Sequence, residues 1–236
     1  MITKYDHMVI QGQKKERFFM NILAPSILAA DCCILGEQIE QIKKGGAEYV
    51  HIDVMDGMFV PSLSYGMCVV SSLRKIEDII FDVHLMVEEP IRYLEEFKNA
   101  GADIITVHLE ACKDVAATLL KIRELGCKVG LSIKPGTPVN DIVPYLELLD
   151  MVLIMSVEPG FGGQKYMPKS TDRIREVKAL ITEAGLSIDV EVDGGIGLQN
   201  VEMVLEAGAN VIVAGSAVFG EDTLRNTEAF MQILRK

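Results

Sequence analysis

Three of the four histidines in this chain fall in short apolar runs, each two positions from an acidic residue: His51 with Asp53, His84 with Asp82, His108 with Glu110. Residues two apart on a β-strand share a face, so each pair looks the same way. In Tyr49–Gly57, YVHIDVMDG, that puts His51, Asp53 and Met55 on one face and Val50, Ile52 and Val54 on the other. A buried imidazole and carboxylate cost free energy unless something satisfies them, and a metal ion is the simplest candidate. In FDVHLMV, His84 shares its face with Asp82 and Met86 and is expected at a level comparable to His51 on the neighbouring strand. With Asp193, which closes another strand, His51, Asp53 and His84 make a donor set suited to one divalent ion: zinc, iron(II) or manganese. The alternative is equally physical: a strand histidine hydrogen-bonded in the core, and aspartates capping helices. His108 with Glu110 reads as a supporting pair that could orient a ligand.

A second chemistry lies in three glycine-rich turns: Glu158–Gln164 (EPGFGGQ), Asp193–Gly197 (DGGIG) and Ala214–Phe219 (AGSAVF). Glycine lets backbone N–H groups approach an anion closely, and helix N-termini add donors. Three such turns together favour a phosphate site over mere tight turns. Met55, Met86 and Met155 close their strands; each alone is ordinary core, whereas together they would form a soft wall that excludes water.

The elements that must position these groups follow a repeat. Helix-like segments end at glycine and lead into apolar strands, as in KKGGAEYVHIDV, KNAGADIITVHL and LEAGANVIVAG. Strands are expected at 22–27, 49–55, 81–87, 103–109, 128–133, 151–157, 189–193 and 211–215, each followed by a helical segment. Eight βα units at this length give α/β class and a single (β/α)8 TIM barrel spanning 21–236, with the site at the strands' C-terminal ends. Ser26, Lys134, Ser156, Glu158 and Ser216 also stand at those ends. No GxGxxG follows the first strand, which argues against a doubly wound sheet. Residues 1–20, which include His7, read as a dispensable extension without signal- or transit-peptide character.

Bulk properties narrow the partners. A net charge of -11 spread along the chain opposes nucleic acid and anionic lipid, and no apolar run reaches the ~18 residues of a membrane span. Five cysteines without a CxxC pair suit a reducing cytoplasm rather than a disulfide framework.

The segments LAPSILAAD, HIDVMDGMFVP, DVHLMVEEP, VEPGFGGQKY, VDGGIG and VAGSAVFG together resemble the ribulose-phosphate 3-epimerase family, from about Asn21 to the C-terminus. The resemblance implies a metal-dependent barrel isomerase that interconverts D-ribulose 5-phosphate and D-xylulose 5-phosphate in the pentose phosphate pathway. By position it implies metal ligands at His51, Asp53, His84 and Asp193, and an acid/base pair at Asp53 and Asp193. It also implies substrate contacts at Ser26 and His84, phosphate contacts at Gly162, Gly163, Gly194, Gly195, Gly215 and Ser216, and a homo-oligomer. The loop after the second strand departs from the family pattern at Met58, Ser62 and Met67, which puts substrate preference in question. The alternatives are a related ketose-phosphate 3-epimerase, such as one acting on allulose 6-phosphate, and a catalytically silent phosphosugar-binding barrel.

Overall fold

A computed structural model describes residues 20–75 and 78–236; the proposed extension and His7 lie outside these, except Met20. Eight parallel strands run β1 Ile22–Pro25, β2 Tyr49–Met55, β3 Ile80–Met86, β4 Ile104–His108, β5 Lys128–Ile133, β6 Met151–Met155, β7 Asp189–Asp193 and β8 Val211–Ala214. They hydrogen-bond in the order β1-β8-β7-β6-β5-β4-β3-β2, and a single parallel bridge between Ser26 and His51 joins the two ends. The sheet is a nearly closed barrel.

Among the described residues, seven α-helices pack outside: α1 Leu35–Lys44, α2 Met67–Arg74, α3 Leu94–Ala100, α4 Val115–Glu124, α5 Ser170–Glu183, α6 Val201–Ala207 and α7 Thr223–Leu234. The connection after β5 differs: Val139–Leu148 is a 3-10 helix, and Pro144 within it lacks the N–H an α-helix would need. Helical stripes fix the packing. Leu35, Ile39 and Ile42 bury one face of α1, and Ile174, Val177 and Ile181 one face of α5, at spacings that return to the same side. Gly101 and Gly208 end α3 and α6 at φ 114° and 113°, a conformation in which Cβ would clash.

Alternation along the strands divides the chemistry. Val50, Ile52, Val54, Val83 and Leu85 join the core between barrel and helices. Inside the barrel, near the strand starts, Ala24, Tyr49, Ile104, Met151, Val211 and Val213 form an apolar plug. Above that plug the interior turns polar, with His51, Asp82, His84, Thr106, His108, Ser132 and Glu191 all fully buried.

Candidate active site and metal centre

Strand register sets the height of each polar group. Asp53 pairs with His84, and His51 pairs with Asp82. His84 therefore stands level with Asp53, one step above the height expected, because β3 is shifted against β2. The two rings still converge: His51 Nε2 lies 3.4 Å from His84 Nδ1. Asp53 Oδ1 lies 3.0 Å from His84 Nδ1 and 3.3 Å from His51 Nε2. One donor atom from each of His51, Asp53, His84 and Asp193 falls within 4.8 Å of the others. Ligands held about 2.1 Å from a tetrahedral ion stand about 3.4 Å apart, so the donors present fit a divalent cation in both type and spacing.

Each histidine is held from behind. His51 Nδ1 donates to Asp82 Oδ2 at 2.6 Å, while Glu191 Oε1 stands farther off at 3.5 Å. His84 Nε2 meets His108 Nε2 at 2.9 Å, and His108 Nδ1 meets Glu110 Oε2 at 3.3 Å. Burial opposes charge on His51, yet Asp53 and Asp82 outweigh it and hold its pKa well above the ordinary value. Burial likewise opposes ionised Asp53, but His51 and His84 more than offset this and keep the carboxyl far below the usual range. Asp193 goes the other way: withdrawal from water and the Asp53 charge push it up to about 6. Burial, then Asp82, raise Glu191 well above a normal carboxyl. His108 is lowered to about 4, mainly by burial, and its ring is neutral at ordinary pH.

A cleft opens over this cluster at the C-terminal end of the barrel. Asp53 and Asp193 reach its floor beside Ser26, Met55, Met86 and Met155, and its far wall contains Gly162, Gly163, Gly194, Gly195, Gly215 and Ser216. The three methionines are almost fully buried. His51 and His84 lie beneath, outside the lining. The glycine turns are rigidly built: Gln164 Nε2 donates to the carbonyls of Glu158 and Phe161, and Asn200 spans Gly195 and Gly197. Gly195 is also required by packing, since a Cβ there would come within 2.3 Å of the Tyr166 nitrogen at φ +67°. Gly163, at φ +71°, faces open space, whereas a Cβ at Gly215 would stand 3.3 Å from the Ala29 Cβ and clear of any backbone atom by 3.8 Å.

Other strand-end residues serve structure. Ser156 donates to the carbonyls of Asp193 and Gly194, and Lys134 places Nζ 3.8 Å from the Phe59 ring centroid. Met58, Ser62 and Met67 do not line the cleft; the side chain of Met58 points outward and is 75% exposed. The sequence alone does not single out Glu191, although it lies two residues before Asp193 and thus on its inward face.

A (β/α)8 barrel with a buried two-histidine, two-carboxylate cluster that could hold a metal ion, under a glycine-walled cleft at the C-terminal ends of its strands, has the layout of a barrel enzyme. Within that class the chain is a member of the ribulose-phosphate 3-epimerase family, whose model matches residues 22–219. Ribulose-phosphate 3-epimerase of Bacillus subtilis (strain 168) is 48% identical over 200 residues, 84% of this chain and 92% of its own length. The chloroplastic ribulose-5-phosphate-3-epimerase of Arabidopsis thaliana is 45% identical over 219 residues, 91% of this chain and 78% of its own. The fold alone is shared with 3-keto-L-gulonate-6-phosphate decarboxylase from Vibrio cholerae, at TM-score 0.68 and 16% identity over 92% of this chain and 98% of that one.

Proposed function

We propose that this chain interconverts D-ribulose 5-phosphate and D-xylulose 5-phosphate by moving a proton at C3, a step of the pentose phosphate pathway. The observation that carries the reading is the pairing of two carboxylates, Asp53 and Asp193, on the floor of one cleft. Epimerisation beside a ketone removes a carbon-bound proton from one face and returns one to the other, through an enediolate of the sugar. Asp53 and Asp193 stand on the cleft floor as the acid/base pair, one to take the C3 proton from one face and the other to return a proton to the opposite face. In the reverse direction the roles exchange. Ser26 Oγ, 2.6 Å from Asp53 Oδ2, keeps that carboxylate in place beside the substrate. The methionine wall limits water around both groups.

His51, Asp53, His84 and Asp193 would hold one divalent ion, zinc, iron(II) or manganese. When bound, it supplies Lewis-acid stabilisation of the negative charge that develops on the substrate oxygens. Gly162, Gly163, Gly194, Gly195, Gly215 and Ser216 would receive the phosphate. Because Met58, Ser62 and Met67 stand outside the cleft lining, they give no support to a hexulose phosphate as the substrate. The reading includes a homo-oligomer, from family membership, and a cytoplasmic setting. The five cysteines, all free, accord with that setting. No described helix is long and apolar enough to cross a membrane.

The test is incubation of metal-reconstituted protein with D-ribulose 5-phosphate in D2O, following deuterium at C3 and product by NMR. Deuterium incorporation and D-xylulose 5-phosphate are expected with the wild type and neither with Asp53→Asn or Asp193→Asn. Wild-type protein that exchanges no C3 proton under any of the three metals would overturn the reading.

A further inference from the structure

The two histidines of the centre are supported unequally. Behind His51 stands a carboxylate, Asp82, the usual partner of a metal-bound imidazole. Behind His84 stands a second imidazole. His84 Nε2 and His108 Nε2 are 2.9 Å apart, so one nitrogen carries the proton and the other accepts it.

The direction of that bond follows from the far end of the chain of contacts. Glu110 is held as an acceptor: its Oε1 takes the N–H of Lys134 at 2.7 Å and the hydroxyl of Thr137. Its Oε2 faces His108 Nδ1 at 3.3 Å, and a carboxylate can only accept there. His108 must therefore carry a proton on Nδ1. A cation in the centre takes the lone pair of His84 Nδ1, the nitrogen that faces Asp53 Oδ1 and His51 Nε2, and leaves His84 its proton on Nε2. His84 is then the donor through Nε2–H, and His108 Nε2 the acceptor.

We propose that Glu110 and His108 act as a positioning relay which locks His84 in the Nε2–H tautomer and so presents its Nδ1 lone pair to the metal centre. The imidazole end of the relay is shielded from water, while Glu110 reaches the surface. His108 is fully buried, the Phe59 ring lies 4.9 Å from its centroid, and the Lys134 ammonium stands over that phenyl ring. Three loops thereby meet at one imidazole: the loop after β2 through Phe59, the segment after β4 through Glu110, and the loop after β5 through Lys134 and Thr137. The inference rests on the reading of His51, Asp53, His84 and Asp193 as ligands, and it adds two residues that touch neither metal nor substrate.

The test separates a hydrogen-bonding role from mere packing. His108→Gln keeps an acceptor toward His84 and a donor toward Glu110, whereas His108→Leu fills the space with neither. Zn2+ and Mn2+ affinities are measured by chelator competition, with melting of the metal-free proteins as a check on folding. The relay predicts a loss of about 10- to 100-fold in affinity for His108→Leu, most of it restored in His108→Gln. Equal affinities, or a leucine variant that binds better than the glutamine one, would overturn it. Long-range 1H–15N NMR of wild-type protein, with and without Zn2+, gives a readout independent of any variant. His84 is expected protonated at Nε2 and His108 at Nδ1, and the opposite pair of tautomers would refute the relay. Wild-type protein that takes up neither ion would instead overturn the metal reading, while the tautomers of the metal-free protein still decide the relay.

Discussion

Ser26 and Asp53 divide the Asp53 carboxylate in two: the serine hydroxyl donates to Oδ2 across 2.6 Å, and Oδ1 is left facing His51 and His84. The serine is itself fixed, accepting from the Leu28 N–H and lying on the bridge that closes the barrel. Removing the hydroxyl frees one oxygen of the proposed base without disturbing the other. A hydrogen bond to a charged group is worth about 1.5–3 kcal/mol, so Ser26→Ala should lower kcat about 10- to 100-fold. Metal affinity should stay within about threefold, since a change of that size is under 1 kcal/mol. Steady-state kinetics and metal titration on one preparation check both. A variant that loses affinity and rate in parallel would place Ser26 in the metal site instead.

The glycine walls separate anion binding from packing. A methyl group at Gly215 would stand 3.3 Å from the Ala29 Cβ, on the cleft side, so Gly215→Ala should fold normally yet crowd the proposed phosphate. Crowding of this kind costs about 1–3 kcal/mol, or about 10- to 100-fold in KM. Gly195→Ala should differ in kind, because its methyl meets the Tyr166 backbone and its φ is +67°. It should lower the unfolding midpoint. If Gly215→Ala leaves KM unchanged, the phosphate lies elsewhere in the cleft.

Much of this arrangement was readable in the sequence. Period-two alternation in YVHIDVMDG and FDVHLMV puts these residues inside, and strand boundaries differ by at most two residues from those expected. Heights were not readable, because alternation tells the face a residue takes but not how far one strand slides along the next. That is why His84 stands beside Asp53 rather than His51. Glu191 is not legible in the same way, because a glutamate between valines looks like an exposed strand residue until the barrel closes around it. Met58, Ser62 and Met67 follow a strand that ends in the site, but they stay out of the cleft lining: Asp56 accepts from the N–H groups of Met58, Phe59 and Glu88, and it is Phe59 and Val60 of this loop that pack on Met55 and Met86.

Protons should compete with metal at Asp193. Its carboxyl is raised from the ordinary 3.8 to about 6, and a cation requires it ionised. Apparent affinity should therefore fall steeply below pH 6, with up to about tenfold per pH unit from Asp193, and should keep rising above it, because His51, held well above its ordinary pKa, must also give up a proton. For stability the sign reverses in the metal-free protein. A raised carboxyl binds its proton more tightly when folded, so its contribution is fully present below pH 3.8 and is lost as pH rises through about 6. Comparison with Asp193→Asn isolates both effects. Metal affinity that is flat between pH 5 and 7 in the wild type would contradict the shift.

The barrel interior also has a spatial requirement that does not involve the site directly. Thr106 and Gly130 are register partners on β4 and β5, and a Cβ at Gly130 would fall 2.1 Å from Thr106 Oγ1 and 2.8 Å from its Cβ. Thr106 is in turn the register partner of His84 on its other side, so it has no room to retreat toward β3. Gly130→Ala therefore forces overpacking in a fully buried layer, at a cost of about 1–3 kcal/mol. The urea midpoint should fall with little change in slope, because the surface exposed on unfolding stays the same. Thr106→Ala removes the hydroxyl that stands closest, so the double variant should recover part of the loss, with the two substitutions strongly non-additive. Recovery should be incomplete, since the Thr106 backbone Cα would still lie 3.0 Å from the new methyl. Additive losses would mean that β4 and β5 separate to admit the methyl. The displaced β4 would then carry His108 with it, and metal affinity should drop in Gly130→Ala as well.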